Sequence, residues 1–535
     1  MIKKIFFVCS LSFFVYGDVI PSDITLDFIK QHPRSITKDF YIWQYLNQDI
    51  TPQEAVVALS EINTMNNNLF FRYAKKSGHD ETYAVAQCMQ GKEKDLLDQN
   101  DHCIEAGLTY QKALNLDFSE LNNVIDKLSL NYQFKAEALK VINSSLPFVR
   151  LVSAEPNIFF EVFNKTSKEF RFNKLNYRLP QGLIDKIKDD MRFNQSIKLI
   201  VTDLKLNNLQ NSLIGIDDSK LNFQSSFYLA LNVLINSEDN KELAMNYLNN
   251  ASKKAYFKID KDMVLLWQYF VSEDISYIET LAQSWDINIY SIYAKEKLSL
   301  NIDNALYSLE TNQDLAQPVL TQFDWVNILQ SNLKLDENVL NDFSSKLSKY
   351  ELPHLTYLYH KFYNYKQNVY ITPYEDLLQD STIERKSLIY AIGRQESGFV
   401  PTLVSTSYAL GTMQIMPFLA DSLSKEFGEN IYLEDMFKPE VNVKYANKHL
   451  NYLEAKLTHP LYISYAYNGG IGFTNRDVLP LFKEKLPFNP FMAMELIAYD
   501  ESKQYGKKVL ANYYMYLNHF KNEKISINSL LEGLQ

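Results

Sequence analysis

Phe227-Tyr228-Leu229-Ala230-Leu231-Asn232-Val233-Leu234 reads as one turn after another of a buried helix, with apolar residues recurring at i, i+3 and i+4. Met263-Val264-Leu265-Leu266-Trp267-Gln268-Tyr269-Phe270 repeats the pattern, and polar breaks such as Asn236-Ser237-Glu238-Asp239-Asn240 stand between such runs. Outward from these segments, residues 216 to 392 contain no glycine. That tract suits helices, where an interior glycine costs about 1 kcal/mol. Helices joined by short polar breaks predict antiparallel pairs stacked into an α-solenoid. No fixed repeat signature is present, so the reading stops at the architecture. The tryptophans (Trp43, Trp267, Trp285, Trp325) all lie before residue 370, and core positions are expected for them rather than ligand platforms.

The chain has 535 residues, 46% hydrophobic and 14% aromatic, which excludes a disordered polymer. With Lys plus Arg at 54 and Asp plus Glu at 64, the net charge of −10 provides no cationic footprint for nucleic acid. Only 15 glycines and 16 prolines argue against a turn-rich β fold.

Lys3 and Lys4 precede an apolar run from Ile5 to Val15, and Val15-Tyr16-Gly17 supplies a peptidase-type ending. Residues 1–17 therefore read as a secretory signal peptide cleaved after Gly17, with an uncleaved anchor as the alternative. Cleavage would take the net charge from −10 to −12 and send the chain to the periplasm. No later stretch is apolar enough to predict a membrane span. Once Cys9 is removed with the leader, Cys88 and Cys103 remain as an even pair in an oxidising compartment. A disulfide is expected, and two buried thiols are the alternative. Cys88, His102 and Cys103 lack a fourth ligand and zinc spacing, so no metal site is expected.

Glycines then crowd together, from Gly393 through Gly411 and Gly469-Gly470 to Gly506, as in a unit whose loops approach a ligand closely. The expected divisions are residues 18–300 for the superhelical domain, 301–369 for a helical linker domain and 370–535 for a compact C-terminal domain, with Pro373 near the last boundary. Three segments of that last domain stand out. Ile389, Ile392, Glu396 and Phe399 share one helical face, and an acid on an apolar stripe would hold its proton near neutrality, as a general acid must. A helix-end glutamate turned to solvent is the alternative. Gly411-Thr412-Met413-Gln414-Ile415-Met416-Pro417 sets an amide among apolar residues, and Tyr465-Ala466-Tyr467-Asn468-Gly469-Gly470 runs two aromatics into a glycine loop. Neither has nucleotide-binding spacing.

In that order, Glu-Ser, G-x-M-Q-I-M-P and A-Y-N-G-G resemble the catalytic domain of the family 1 lytic transglycosylases. Glu501-Ser502-Lys503-Gln504-Tyr505-Gly506-Lys507-Lys508-Val509 resembles a fourth stretch of the family, E-T-R-x-Y-V-x-x-V. The motif-level resemblance spans roughly 373–520. It implies a predominantly all-α protein, an N-terminal superhelical ring followed by a lysozyme-like domain. It implies Glu396 as the single catalytic acid/base, Ser405 beside the reacting sugar, and Met413 and Gln414 along the cleft. It further implies Tyr467 with its hydroxyl near the acid, Asn468 holding the loop, and Glu501 positioning glycan or peptide. Thr412, Tyr408, Lys503 and Gly506 depart from the family's leucine, glycine, arginine and valine.

Hydrolytic glycosidases usually need two carboxylates, yet Ser397 to Ala420 contains no Asp or Glu. The resemblance implies non-hydrolytic cleavage of the MurNAc–GlcNAc β-1,4 bond to 1,6-anhydro-N-acetylmuramoyl products, with no cofactor. Peptidoglycan glycan strands and other cell-wall enzymes are the expected partners of a monomer. A goose-type-lysozyme-like muramidase and a non-catalytic murein-binding scaffold are the alternatives.

Overall fold

A computed structural model describes residues 18–237, 239–312, 314–315 and 317–534. The expected signal peptide, residues 1–17 with Cys9, lies outside the described residues. As the helical periodicity predicts, the described residues are predominantly α-helical. Among the described residues no helix is long and apolar enough to cross a membrane.

The chain enters through α1 (Leu26–Gln31) and α2 (Ile36–Tyr45), each started by a hydroxyl cap: Thr25 accepts from the Phe28 amide and Ser35 from the Lys38 amide. Helices α3 (Asp80–Gln90) and α4 (Asp101–Gly107) carry the two cysteines. Cys88 and Cys103 are joined by a disulfide with a Cα–Cα separation of 5.3 Å. The helices meet there at backbone distance, because a Cβ on Gly107 would stand 2.1 Å from the Cys88 carbonyl oxygen.

Further along, α5 (Phe223–Asn236), α6 (Lys241–Lys254), α7 (Lys258–Ser272), α8 (Ile275–Ala282) and α9 (Ile289–Lys297) each pack on the next in sequence. This neighbour-to-neighbour stacking is the expected solenoid. The stripe seen in the sequence becomes its core, with Leu229, Leu231, Val264, Leu266 and Trp267 all fully buried. Trp325 is also buried, but Trp43 is half-buried and Trp285 is 37% exposed, so the tryptophans do not form one class.

Residues 301–369 combine helices with a short strand pairing. Strand β1 (Ala305–Leu306) pairs in parallel with β2 (Asn368–Val369), a contact between segments more than sixty residues apart that no local pattern announces. Between them, α10 (Gln322–Gln330) and α11 (Leu352–Phe362) enclose a small separate core of Trp325, Leu340 and Leu358, to which Val400 adds from the C-terminal unit.

In the C-terminal unit, α12 (Ile383–Glu396) and α15 (Pro460–Gly469) both pack on the long helix α16 (Asp500–Phe520), with α13 (Pro417–Phe427) and α14 (Pro439–Glu454) alongside. Both ends of the helical array touch this unit. Val19 bridges to Ile431, and Ser22 and Gln44 both donate to the Glu434 carboxylate, at 2.6 and 3.0 Å. From the middle of the array Lys198 pairs with Asp500 at 2.5 Å, and toward its other end Phe270 stacks on Phe488. The path of contacts thus closes into a ring, with the C-terminal unit as the joining piece.

Candidate active site

Helix α12 begins at a Thr382 cap and ends at Glu396, the last residue of its final turn. There the chain reverses through Gly398 (φ +60°) and Phe399 (φ +69°). The Phe399 ring folds back onto Gly393, where a Cβ would lie 2.8 Å from it, so the glycine makes room for the residue that seals the helix end. This reversal leaves Glu396 half-buried on a cleft of about 660 Å³. Burial drives its carboxyl up to about 7; a hydrogen bond from Tyr505 opposes the rise, and the nearby Glu501 charge adds to it. The acid therefore retains its proton over much of the neutral range, which is the state a general acid needs.

The cleft is lined by Glu396, Ser405, Gln414, Tyr467, Asn468 and Glu501. The loop segments are tied by side chains that the motifs supplied. Ser405 accepts from the Ala409 amide at 2.9 Å. Gln414, at φ +50°, spends its amide nitrogen on the carbonyls of Gly411 (2.8 Å) and Leu403 (3.3 Å). Asn468 donates to Glu501 at 3.1 Å, while its oxygen accepts from Ser502.

One expectation needs correcting. Met413 is fully buried and does not line the cleft: its sulfur lies against Gly393 and its backbone is the functional part. Its amide donates to Asn442 at 2.7 Å and its carbonyl accepts from the Tyr467 hydroxyl at 2.8 Å. Burial and the nearby Glu396 charge both raise the Tyr467 pKa, and its hydroxyl pins the Met413 loop. The hydroxyl on the acid belongs to Tyr505, which donates to Glu396 Oε1 at 2.7 Å. Tyr505 follows Glu501 by four residues on α16, so one face of that helix supplies both groups. That i,i+4 spacing was the available signal.

His449, on α14, was also missed. Its ring lines the cleft 5.6 Å from that of Tyr467, and burial lowers its pKa. Tyr499 donates to Glu501 at 2.9 Å. Among the described residues no group of His, Cys, Asp and Glu could hold a metal ion.

The departures from the family pattern have neighbours that account for them. Tyr408, left-handed at φ +66°, packs its ring on Phe40 and Trp43 of the array. Gly506 faces Tyr465, whose ring would be 2.1 Å from an added Cβ. Lys503 reaches Tyr228 of the array at 2.6 Å. The Thr412 hydroxyl is 3.4 Å from the Phe399 carbonyl.

The C-terminal unit is thus all-helical and presents a carboxylic acid of raised pKa at a helix end, opening on a cleft. Residues 379–480 match the Transglycosylase SLT domain. The chain is 28% identical over 212 residues to the soluble lytic murein transglycosylase of Salmonella typhimurium, covering 38% of this chain and 32% of that one. It is 27% identical over 215 residues to the soluble lytic murein transglycosylase of Escherichia coli, covering 39% and 33%. The chain thus spans about a third of the length of the curated relatives it matches. The crystal structure of the 70 kDa soluble lytic transglycosylase of Escherichia coli superposes with a TM-score of 0.45 at 15% identity, over 95% of this chain and 89% of that one.

Proposed function

We propose that this chain is a lytic transglycosylase that cleaves the MurNAc–GlcNAc β-1,4 bond of peptidoglycan. The observation that carries the reading is Glu396: a carboxylic acid held near pKa 7 at a helix end in a cleft lined by tyrosine, serine and amide groups. Glu396 first donates its proton to the glycosidic oxygen. The 2-acetamido carbonyl of the muramoyl sugar stabilises C1 as the bond breaks. The Glu396 carboxylate then accepts the proton of that sugar's 6-hydroxyl, and the 6-oxygen closes on C1 to give the 1,6-anhydro end. Holding that hydroxyl against C1 gives it an effective-concentration advantage over solvent. The Tyr505 hydroxyl stabilises the carboxylate that exists between the two proton transfers.

One observation favours a hydrolytic muramidase instead: Glu501 lines the same cleft and could serve as the base for water. Its oxygens, however, are taken up by Asn468 and Tyr499, which suits a carboxylate that holds the loop. Digestion of purified sacculi separates the readings by mass spectrometry. Anhydro ends, lighter by one water than hydrolysed ends, support the transglycosylase, whereas reducing ends identify a muramidase. An inert wild type beside an inert Glu396→Gln variant identifies a scaffold.

The ring of residues 18–300, the linker 301–369 and the domain 370–535 divide the work: the array holds glycan strand remote from the reacting sugar. Residues 1–17 act as the leader for export to the periplasm, and the Cys88–Cys103 bridge supports that oxidising destination. The working form is a monomer acting on glycan strands alongside other cell-wall enzymes.

A further inference from the structure

Helix α16 has two working faces. Glu501 and Tyr505 point to the cleft, and Lys503 and Lys507, offset by about half a turn, point to the helical array. Both lysines are buried, at 4% and 2% exposure. A buried ammonium persists only where hydrogen bonds and charge replace its water. Lys503 donates to the Tyr228 hydroxyl of α5 at 2.6 Å and pairs with Asp500 at 3.1 Å. Lys507 donates to the Tyr290 hydroxyl of α9 at 2.8 Å and to Glu495 at 2.9 Å, and Tyr290 itself donates to Glu495 at 2.6 Å. The array therefore supplies one phenol to each of the two buried lysines inside the joint.

On its remaining side α16 has no slack. Gly506 lies against the Tyr465 ring, where an added Cβ would stand 2.1 Å from it, and an added Cβ on Gly469 would stand 2.9 Å from Ser502 Oγ, so α15 and α16 leave no room for a further side chain between them. A rotation of α16 that broke the lysine contacts would carry Tyr505 with it. We propose that Tyr228 and Tyr290, in the array, are positioning residues of the active site: by holding Lys503 and Lys507 they fix the rotation of α16 that places the Tyr505 hydroxyl on Glu396. The inference rests on the assignment of Glu396 as the acid.

The groups facing Glu396 are Tyr505 and Glu501 from α16 and Tyr467 from α15, with His449 of α14 and Tyr499 across the cleft. Those facing the lysines are Tyr228, Tyr290, Asp260, Glu495, Asp500 and Lys198. Because the Tyr505 bond lowers the Glu396 pKa, loosening α16 moves that pKa upward.

The test uses the full chain with Tyr228→Phe and Tyr290→Phe, and with Tyr247→Phe as control. Tyr247 is a buried array tyrosine whose hydroxyl binds the Ile216 carbonyl, away from the joint. Turnover of sacculi and the pH profile are measured beside thermal midpoints. The expected result is a fall in kcat of about tenfold with KM unchanged and the alkaline limb of the profile moved to higher pH, in the two joint variants and not in the control. Equal loss of stability in all three variants, with kcat and profile unaltered, overturns the proposal. Should Tyr290→Phe fail to fold, Tyr228→Phe, which leaves Asp500 on Lys503, decides alone. A carboxyl carbon NMR titration gives a readout free of turnover, with the Glu396 resonance assigned by its loss in Glu396→Gln. An unmoved Glu396 midpoint in the joint variants refutes the positioning role. Wild-type protein that leaves sacculi intact counts instead against the proposed function.

Discussion

Tyr505 donates its hydroxyl to Glu396 Oε1 at 2.7 Å, joining residues 109 positions apart through the packing of α16 on α12. The pair couples the acid to a helix that also contacts the array, and its removal has a defined sign. In Tyr505→Phe the carboxylate loses a hydrogen bond, so the Glu396 pKa should climb above about 7. The basic limb of the pH–rate profile should move upward, and kcat should fall by about tenfold or more, since bonds to charged groups are worth about 1.5–3 kcal/mol. A profile superimposable on the wild type would show that the phenol does not act on the acid.

The proposed acid, Glu396, costs the fold stability at neutral pH. Its folded pKa of about 7 exceeds the ordinary 4.5, so the folded state binds the proton more tightly. The stability it contributes is complete below about pH 4.5 and is lost as pH rises through about 7. Glu396→Gln removes that dependence. Denaturant melts should show the variant gaining on the wild type by up to about 3 kcal/mol between pH 4.5 and 8, while turnover disappears. A stability difference constant with pH would contradict the raised pKa.

The Cys88–Cys103 bridge closes a loop of sequence separation 15 within the array. A loop of that size gives about 3 kcal/mol in the chain-entropy account. Cys88→Ser with Cys103→Ser should lower array stability by about 2–3 kcal/mol, with little change in kcat, because neither residue lines the cleft. Matched melts with and without reductant provide the check, and a reductant effect on the double variant would mean that the loss arises elsewhere.

Gly506→Val introduces the valine of the family that the motifs resemble but places a side chain inside the Tyr465 ring. Overpacking of this kind costs about 1–3 kcal/mol or more. Adding Tyr465→Leu should recover part of the loss, because the two changes share one space. Strict additivity in the double-mutant cycle would disprove that coupling.

Several parts of this architecture are written locally in the chain. The Phe227–Leu234 stripe and the glycine-free tract announce the array, and the Ile389–Glu396 face announces an acid on an apolar surface. Tyr505, by contrast, reads locally as one more helix aromatic. Its role depends on α12 arriving from more than a hundred residues away. The Met413 side chain was misjudged for a related reason. In a loop reversed at Gly411 (φ +74°) and Gln414 (φ +50°), backbone groups carry the polar contacts and the thioether fills the core. The β1–β2 pair and the Lys507–Glu495–Tyr290 network lie beyond any local signal, since each partner is chosen by docking.

Stacked-helix arrays ordinarily need polar outer faces on their terminal repeats to remain soluble. Here the first helices turn Phe40 and Trp43 toward Tyr408 and Phe437, and the last ones turn Trp267, Phe270 and Tyr293 toward Phe488 and Phe491. The C-terminal unit is therefore the lid of the stack at both ends. Severed from it, the array would present two aromatic faces to water, and these faces would favour self-association. Liberation of the C-terminal unit by a protease would likewise strand Lys503 and Lys507 without their phenols. Neither piece is finished without the other, so the smallest heritable unit of this molecule is the whole ring, and recombination at the 370 boundary would be penalised even where the motifs remain intact.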